Sequence, residues 1–444
     1  MLAQQSRLIL AHATPILLAQ LSAMGMMIID TILLGHHGAE DLAAVAVGSG
    51  LYIAIVFALA GILQAVAPIV AQLHGAGRDG EIAASLQQAL WLALLLTVPG
   101  VFLLVHPDAL LSLSTIDASV ELKTRRYLQA LAYGLPALLF YRTFHAFCNA
   151  LSRPRPLLWI SLGNTVLHGL LASALVTGYW GGEALGAFGC GVSNAIVAWF
   201  SMVCALVYMR ASRALHAYRL FAGWRRPQTR QLKELLRLGL PMGASNLIEI
   251  SSFTLMALFV APLGATALAG HRIVATLAAT CYMLPLALGI ATLAQVAQSV
   301  GAGDGFHAQR SIAAGLLLAS GASTLIGALL WTIGQPLVAI YTIDPAVQAV
   351  ALSLLAYVAI YQLFDAVQTI AAHALRGYRI TFAPMLVHLL SFWGVGLYGG
   401  WWLAYRAVDP WGVAGFWLAS LSSLVLAALL LGGLLWHAVR PESG

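Results

Sequence analysis

Residues 15–44 read PILLAQLSAMGMMIIDTILLGHHGAEDLAA, and residues 241–270 read PMGASNLIEISSFTLMALFVAPLGATALAG. Laid over one another at an offset of 226, Pro15 meets Pro241, the GA at 38–39 meets the GA at 264–265, and Leu42 and Ala43 meet Leu268 and Ala269. The same offset, without a gap, carries Val70-Ala71-Gln72 onto Val296-Ala297-Gln298 and GAG at 75–77 onto GAG at 301–303. Farther along it becomes 220, where YRTFHA at 141–146 meets YQLFDA at 361–366 and His168 meets His388. A register held across two apolar stretches and both of their loops marks a duplicated chain.

Each copy is built for lipid. Hydrophobic residues make up 61% of the 444 and charged residues 9%, and the mean hydropathy is +0.87. Too little polar surface remains to coat a globule in water, which excludes a soluble enzyme, a secreted disulfide scaffold and a disordered chain. About 20 apolar residues cross a bilayer. The polar breaks predict twelve spans: 8–34, 42–73, 84–105, 124–149, 156–178, 185–210, 236–261, 266–300, 310–333, 346–375, 380–405 and 411–437. The first runs on past the length of a cleaved signal and is read as a span. Six spans precede the basic central stretch 212–234 and six follow, giving an N-lobe over 1–211 and a C-lobe over 235–444. An even number per copy enters the membrane the same way twice, so the lobes are parallel repeats about an axis along the membrane normal, with a cavity expected between them. That plan belongs to transporters.

The net charge is +6, but the basic residues sit in alternate short loops (Arg78, Arg153 and Arg155, Arg310, Arg376 and Arg379), as in a positive-inside pattern rather than a nucleic-acid surface. That places both termini in the cytoplasm, with Lys123, Arg125, Arg126 and Arg406 against the trend. The central stretch reads as a solvated linker along the headgroups. Cys148, Cys190, Cys204 and Cys281 lie in apolar runs without paired spacing and read as small core residues.

Acids inside spans are costly and usually face water or an ion. Three are found: Asp30, Glu249 and Asp365. Asp365 is about 16 Å along a helix from Arg376, and Glu249 about 12 Å beyond Pro241, so the two share a depth near mid-membrane. Asp30, seven residues farther along its span than the position matching Glu249, lies nearer the outer side. A carboxylate at such depth holds a proton or binds a cation. Tyr361, one turn before Asp365, is placed to share the ligand. His145 occupies the repeat position of Asp365; an imidazole ordinarily titrates near neutrality and suits proton handling, although a neutral hydrogen-bonded ring is the commoner use of such residues. Arg142 and Arg272 are read as lining a cavity or reaching its edge. Trp91, Trp159, Trp199, Phe253 and Tyr282 are read mainly as lipid-belt or packing residues. No Walker loop, HExxH or GxSxG occurs, so the drive is expected from an ion gradient, with no cofactor beyond a coupling Na⁺ or H⁺.

These features together resemble the multidrug and toxic compound extrusion (MATE) family, in its NorM-like bacterial branch. The local matches are IIDTILLG at 28–35, LGAFGCGVSNAI at 185–196, LPMGASNLIE at 240–249, FVAPLGATALAGHRI at 259–273 and YQLFDAVQTIAAHALRGY at 361–378. The resemblance implies a V-shaped, all-helical inner-membrane antiporter, functional as a single chain, that exports amphipathic, often cationic compounds against Na⁺ or H⁺ by alternating access. It puts the coupling cation on Glu249 and Asp365 with Tyr361, and the first-lobe acid on Asp30. The family tends to place two asparagines four residues apart on the fifth span; here the positions hold Asn164 and His168, with Asn194 on the sixth span as a substitute amide. The imidazole favours a proton over Na⁺ in that lobe. Two rivals remain at this stage. A lipid-linked oligosaccharide flippase would call for a cationic cavity, and an intramembrane transferase for a clustered nucleophile or metal set.

Overall fold

The computed structural model describes residues 2–112, 117–179 and 181–440. In them the chain forms twelve long helices: α1 (Leu2–His37), α2 (Ala39–Gly75), α3 (Asp79–Val105), α4 (Ala118–Ala150), α5 (Arg155–Thr177), α6 (Gly186–Ala211), α7 (Thr229–Val260), α8 (Ala265–Gly301), α9 (Gly305–Thr332), α10 (Pro345–Gly377), α11 (Phe382–Tyr405) and α12 (Val413–Val439). Each matches one expected span, falling short of its bounds by no more than two residues at either end. With no water in hydrocarbon to bond a free N–H or C=O, an apolar segment of this length satisfies its backbone internally, as helix. Helix runs past the apolar segment where polar helix formers follow: α7 begins at Thr229 rather than 236 because Arg230, Lys233 and Glu234 continue it into water.

Eleven of the twelve are long and apolar enough to cross a membrane. The twelfth, α4, is diluted by Glu121, Lys123, Arg125 and Arg126 at its start, while from Tyr127 to Ala150 its one charged residue is Arg142. Two of the cations that run against the loop-charge pattern, Lys123 and Arg125, are paired with acids. Lys123 Nζ lies 2.7 Å from Asp41 and 3.0 Å from Glu40, and Arg125 pairs with Asp108 and, at 2.6 Å, with Glu121. The Arg125 guanidinium holds the exposed Asp108 carboxyl below the usual carboxylate range. Acids cancel the charge of this end locally.

The chain packs as two compact units, one of residues 14–243 and one of residues 244–440 together with 2–13. In the first, α4 is central, against α2, α3 and α6, and α5 packs on α6; in the second, α10 is central, against α8, α9 and α12. These two hubs carry the matched YRTFHA and YQLFDA segments. The loops repeat as well. Gly77 (φ 69°) and Gly303 (φ 73°) take the left-handed conformation that closes α2 and α8, and the next residue bonds back identically, Arg78 N to Leu73 O and Asp304 N to Ser299 O, both at 2.9 Å. Large apolar side chains such as Val98, Leu325 and Trp331 stay on the outside of their units, a surface suited to lipid and not to water.

Where two helices cross closely a small residue is required. Gly134 on α4 meets Ala195 on α6 so closely that a Cβ on Gly134 would stand 2.7 Å from the Ala195 Cα.

The central stretch is not a free tether along the headgroups. After a 3-10 turn at Arg213–Tyr218 it is fastened onto α3 of the first unit. Gln87 Nε2 donates to the carbonyls of Leu220 (3.1 Å) and Gly223 (2.8 Å) and its Oε1 accepts from Arg225 N. Gln88 does the same with Arg226 O (3.0 Å) and Gln228 N (2.7 Å), and Trp91 Nε1 donates to Arg225 O (3.0 Å) while its ring meets Trp224 edge-on. Two glutamines within a span are the clamp, and Trp91 is part of it rather than a lipid-belt residue.

Gly134→Ala is expected to cost about 1–3 kcal/mol through overpacking against backbone, seen as a lower melting temperature in detergent. The double variant Gln87→Ala, Gln88→Ala is expected to release the linker and speed tryptic cleavage after Arg225 several-fold, with the helical circular dichroism unchanged.

Candidate functional site

In the first unit α1, α5 and α6 bring their polar side chains together. Ser22 of α1 bonds Thr165 Oγ1 (2.8 Å), and Ser161 donates to Ala19 O (2.7 Å), which fixes α1 along α5. One to two turns farther on, His168 Nε2 lies 2.7 Å from Asp30 Oδ1, and Ser193 Oγ from α6 lies 3.0 Å from His168 Nδ1. His168 is fully buried, and the Asp30 side chain is 14% exposed. The result is a line of three groups, carboxylate, imidazole and hydroxyl, able to hold and relocate a proton. Of the sequence candidates Asp30 and His168 meet. Asn164 and Asn194 do not bond the acid: Asn164 Oδ1 accepts from Ser201 Oγ (3.0 Å), and Asn194 Nδ2 donates to Cys190 O in its own helix (3.1 Å). Cys190, read as a core residue, is buried with its thiol within hydrogen-bond reach of Asp30.

In the second unit α7, α8 and α10 supply the site. Glu249 and Asp365 interact electrostatically with one another, and Tyr361 with both. Asp365 and Tyr361 are buried on the hub helix, where the Tyr361 ring packs against Phe253 and Trp417. Gln368, one turn on, donates to Asp365 Oδ1 (3.1 Å) and to Thr369 Oγ1 (3.0 Å). Tyr282 of α8, expected to be a packing residue, instead sets its hydroxyl between Glu249 and Thr369. Arg376 completes the face two turns below, with Nη2 bonded to Asn246 Oδ1 at 3.3 Å. Among the described residues, both amide atoms of the fully buried Gln362 lack a hydrogen-bond partner, as does Gln368 Oε1. Buried amides seek partners, so this interior has polar capacity to offer a ligand.

Beside Tyr361 the chain departs from regular helix. Residues Leu389–Tyr398 of α11 form a π-helix, a form that appears often at functional sites. Its Phe392 carbonyl accepts from Ser252 Oγ of α7 (3.3 Å). A small cleft there is lined by Ser252, Phe253, Tyr361, Phe392, Ser420 and Ser423.

The repeat positions have diverged. His145, equivalent to Asp365, accepts from Asn149 Nδ2 at its Nδ1 (3.2 Å). His388, equivalent to His168, is buried against Phe392, and neither ring nitrogen is hydrogen-bonded among the described residues. Arg142 lies near Tyr52 and Tyr141, and Arg272 is exposed. Among the described residues no group of three His, Cys, Asp or Glu is placed to hold a metal ion. Sequence reading missed Gln368, Thr369, Asn246 and Ser193. The first two lie one turn from Asp365, Asn246 one turn from Glu249, and Ser193 next to Asn194, so helical spacing from each named residue was the available signal.

Two all-helical units built on repeated hubs, each with an acid set within its spanning helices, define a multi-pass membrane protein of transporter type. The chain belongs to the MatE family: its model matches residues 15–173 and again 241–402, two segments whose starts are the paired prolines, 226 apart. The chain is 55% identical over 433 residues to the probable multidrug resistance protein NorM of Aromatoleum aromaticum, covering 97% of this chain and 93% of that one. It is 35% identical to the multidrug resistance protein NorM of Vibrio cholerae, covering 95% and 93%. The fold is that of solved MATE transporters. A mutant of VcmN from Vibrio cholerae superposes with TM-score 0.90 at 15% identity, covering 100% of this chain and 98% of that one; the eukaryotic AtDTX14 does so with TM-score 0.88 at 19% identity, covering 98% and 96%.

Ser193→Ala is expected to cost about 1–3 kcal/mol, because it leaves the buried His168 Nδ1 without a partner. Asn194→Ala, which removes only a bond within its own helix, is expected to cost under about 1 kcal/mol. Thermal unfolding of the two variants in one detergent checks the order.

Proposed function

We propose that the chain is a secondary-active multidrug exporter of the bacterial inner membrane, with both termini in the cytoplasm. It expels amphipathic, often cationic compounds in exchange for Na⁺ or H⁺. The observation that carries the reading is the grouping, within one unit of a MatE chain, of Glu249, Asp365, Tyr361 and Tyr282 on spanning helices. The names of its relatives supply the substrate class. Neither carboxylate makes an ion pair within 4.0 Å among the described residues, which leaves room beside the pair for a cation. A buried carboxylate without one is expensive, and binding Na⁺ or H⁺ relieves that cost.

Coupling needs only that drug and cation favour different states of the protein. The drug is taken up from the cytoplasmic side by apolar and aromatic contacts. On the outer side, cation binding at Glu249 and Asp365, with Tyr361 as a neighbouring ligand, favours the state that holds the drug weakly. The cation then returns inward down its gradient. In the first unit the Asp30–His168–Ser193 line carries a proton: Asp30 is the acid, His168 its partner, and Ser193 holds the far ring nitrogen. Asn164 and Asn194 stand by as amide ligands if a rotamer change brings them to Asp30. One chain contains both sites, and no second copy is required.

The test uses purified protein in liposomes, ethidium as the drug, and a Na⁺ gradient or a pH gradient imposed separately. At least one gradient is expected to drive efflux, and Asp365→Asn to reduce it by at least about tenfold, the loss of one charge–cation interaction. Undiminished gradient-driven efflux by Asp365→Asn overturns the assignment. Efflux under neither gradient, from folded protein, turns the reading to a lipid-linked oligosaccharide flippase. His168→Asn is expected to weaken driving by pH more than driving by Na⁺, since an amide cannot carry the proton.

A further inference from the structure

We propose that Arg376 is the resident counter-ion of Glu249, so that the carboxylate pair of the second unit has one uncompensated negative charge and takes one monovalent cation per cycle. The inference rests on the coupling role given above to Glu249 and Asp365.

Arg376 is only 6% exposed. A guanidinium stays protonated in proteins, and a buried one is stable only with an anion or a full set of acceptors nearby. Among the described residues its side chain donates to Asn246 Oδ1. Asn246 and Glu249 stand three residues apart on α7, on one face and one turn from each other, so the bond that holds the guanidinium also fixes its distance from the Glu249 carboxyl. The two do not touch within 4.0 Å. Glu249 is nonetheless the carboxylate with which Arg376 interacts, together with the Tyr282 hydroxyl that sits at Glu249. Asp365 shares the hub helix with Arg376 but lies about 16 Å up it, and the charged group with which it interacts is Glu249.

The other titratable groups facing Arg376 are His373 and His388. His373 Nδ1 lies 2.8 Å from Thr369 O, a bond it makes as an N–H donor. A second positive charge beside a buried guanidinium is unfavourable, so both rings are neutral and add nothing to the balance. Three charges therefore remain: one positive on Arg376 and one negative on each acid. A single monovalent cation brings the group to neutrality. A second would leave a net positive charge in the membrane, and with no Arg376 the site would call for two.

The experiment counts bound ions and checks the pairing separately. Asp30→Asn protein, which silences the first unit, is loaded with radioactive Na⁺ in nanodiscs with and without Arg376→Gln. One Na⁺ per chain is expected in Asp30→Asn. On adding Arg376→Gln, affinity should rise by about tenfold or more, or a second Na⁺ should bind, whereas Arg376→Lys should keep one ion. Two Na⁺ per chain with Arg376 intact, or unchanged affinity in Arg376→Gln, overturns the proposal. The pairing is read without any ion: Arg376→Gln should lower the melting temperature, Glu249→Gln added to it should restore stability, and Asp365→Asn added to it should not. Rescue by Asp365→Asn, or by neither, also overturns it, and expression of the double variants covers the case in which Arg376→Gln alone does not fold. If no Na⁺ binds to any protein while Glu249→Gln still rescues, the ion is H⁺ and the pairing stands. Intact pairing with no gradient-driven efflux is a failure of the transport reading, distinct from both.

Discussion

Charge in hydrocarbon has to be balanced close by, and every other feature of this chain is arranged around that constraint. The backbone meets its half of the requirement by forming helices whose hydrogen bonds close within themselves. The side chains meet theirs by confining ionisable groups to a few clusters. Lys123 and Arg125 are held by four acids at one end of α4. Asp30 is held by His168. Glu249 and Asp365 are left with hydroxyl and amide neighbours and one distant guanidinium, and so remain able to receive a cation. That difference in satisfaction separates the ion pairs at the end of α4 from the acids proposed to take part in coupling.

The duplication shows how one plan yields two chemistries. The hub helices α4 and α10, the left-handed turns at Gly77 and Gly303 and the bonds after them are the same in both copies. Packing and turn geometry tolerate little change. The polar positions have moved apart: Asp365 faces His145 across the repeat, and His168, bonded at both nitrogens, faces His388, bonded at neither. One copy has become a carboxylate–imidazole pair, the other a carboxylate pair.

Several residues were legible only through their neighbours. Tyr282 looks like any aromatic in an apolar span, because nothing in its local sequence distinguishes a ring facing lipid from one whose hydroxyl meets Glu249. Gln87 and Gln88 look like tolerated interruptions of α3, yet they fasten a linker more than 130 residues away. Asn164 and Asn194 had the right chemistry and spacing to serve Asp30. Their amides are instead taken by Ser201 and by the carbonyl of Cys190, which are nearer acceptors and donors.

The sequence by itself determined the membrane class, the twelve helices, the duplication and the intramembrane acids. These follow from hydropathy, length and the cost of charge in lipid, all properties of a residue and its near neighbours. Helical spacing also foretold that Tyr361 shares a face with Asp365. Only the tertiary structure decided which groups meet across helices: that His168 rather than an asparagine receives Asp30, that Arg376 reaches Asn246 beside Glu249, and that α11 widens into a π-helix against Ser252. Such pairings depend on the rotation of each helix about its own axis. That rotation is set by packing residues such as Gly134 on Ala195, whose spacing in the chain carries no trace of the contact.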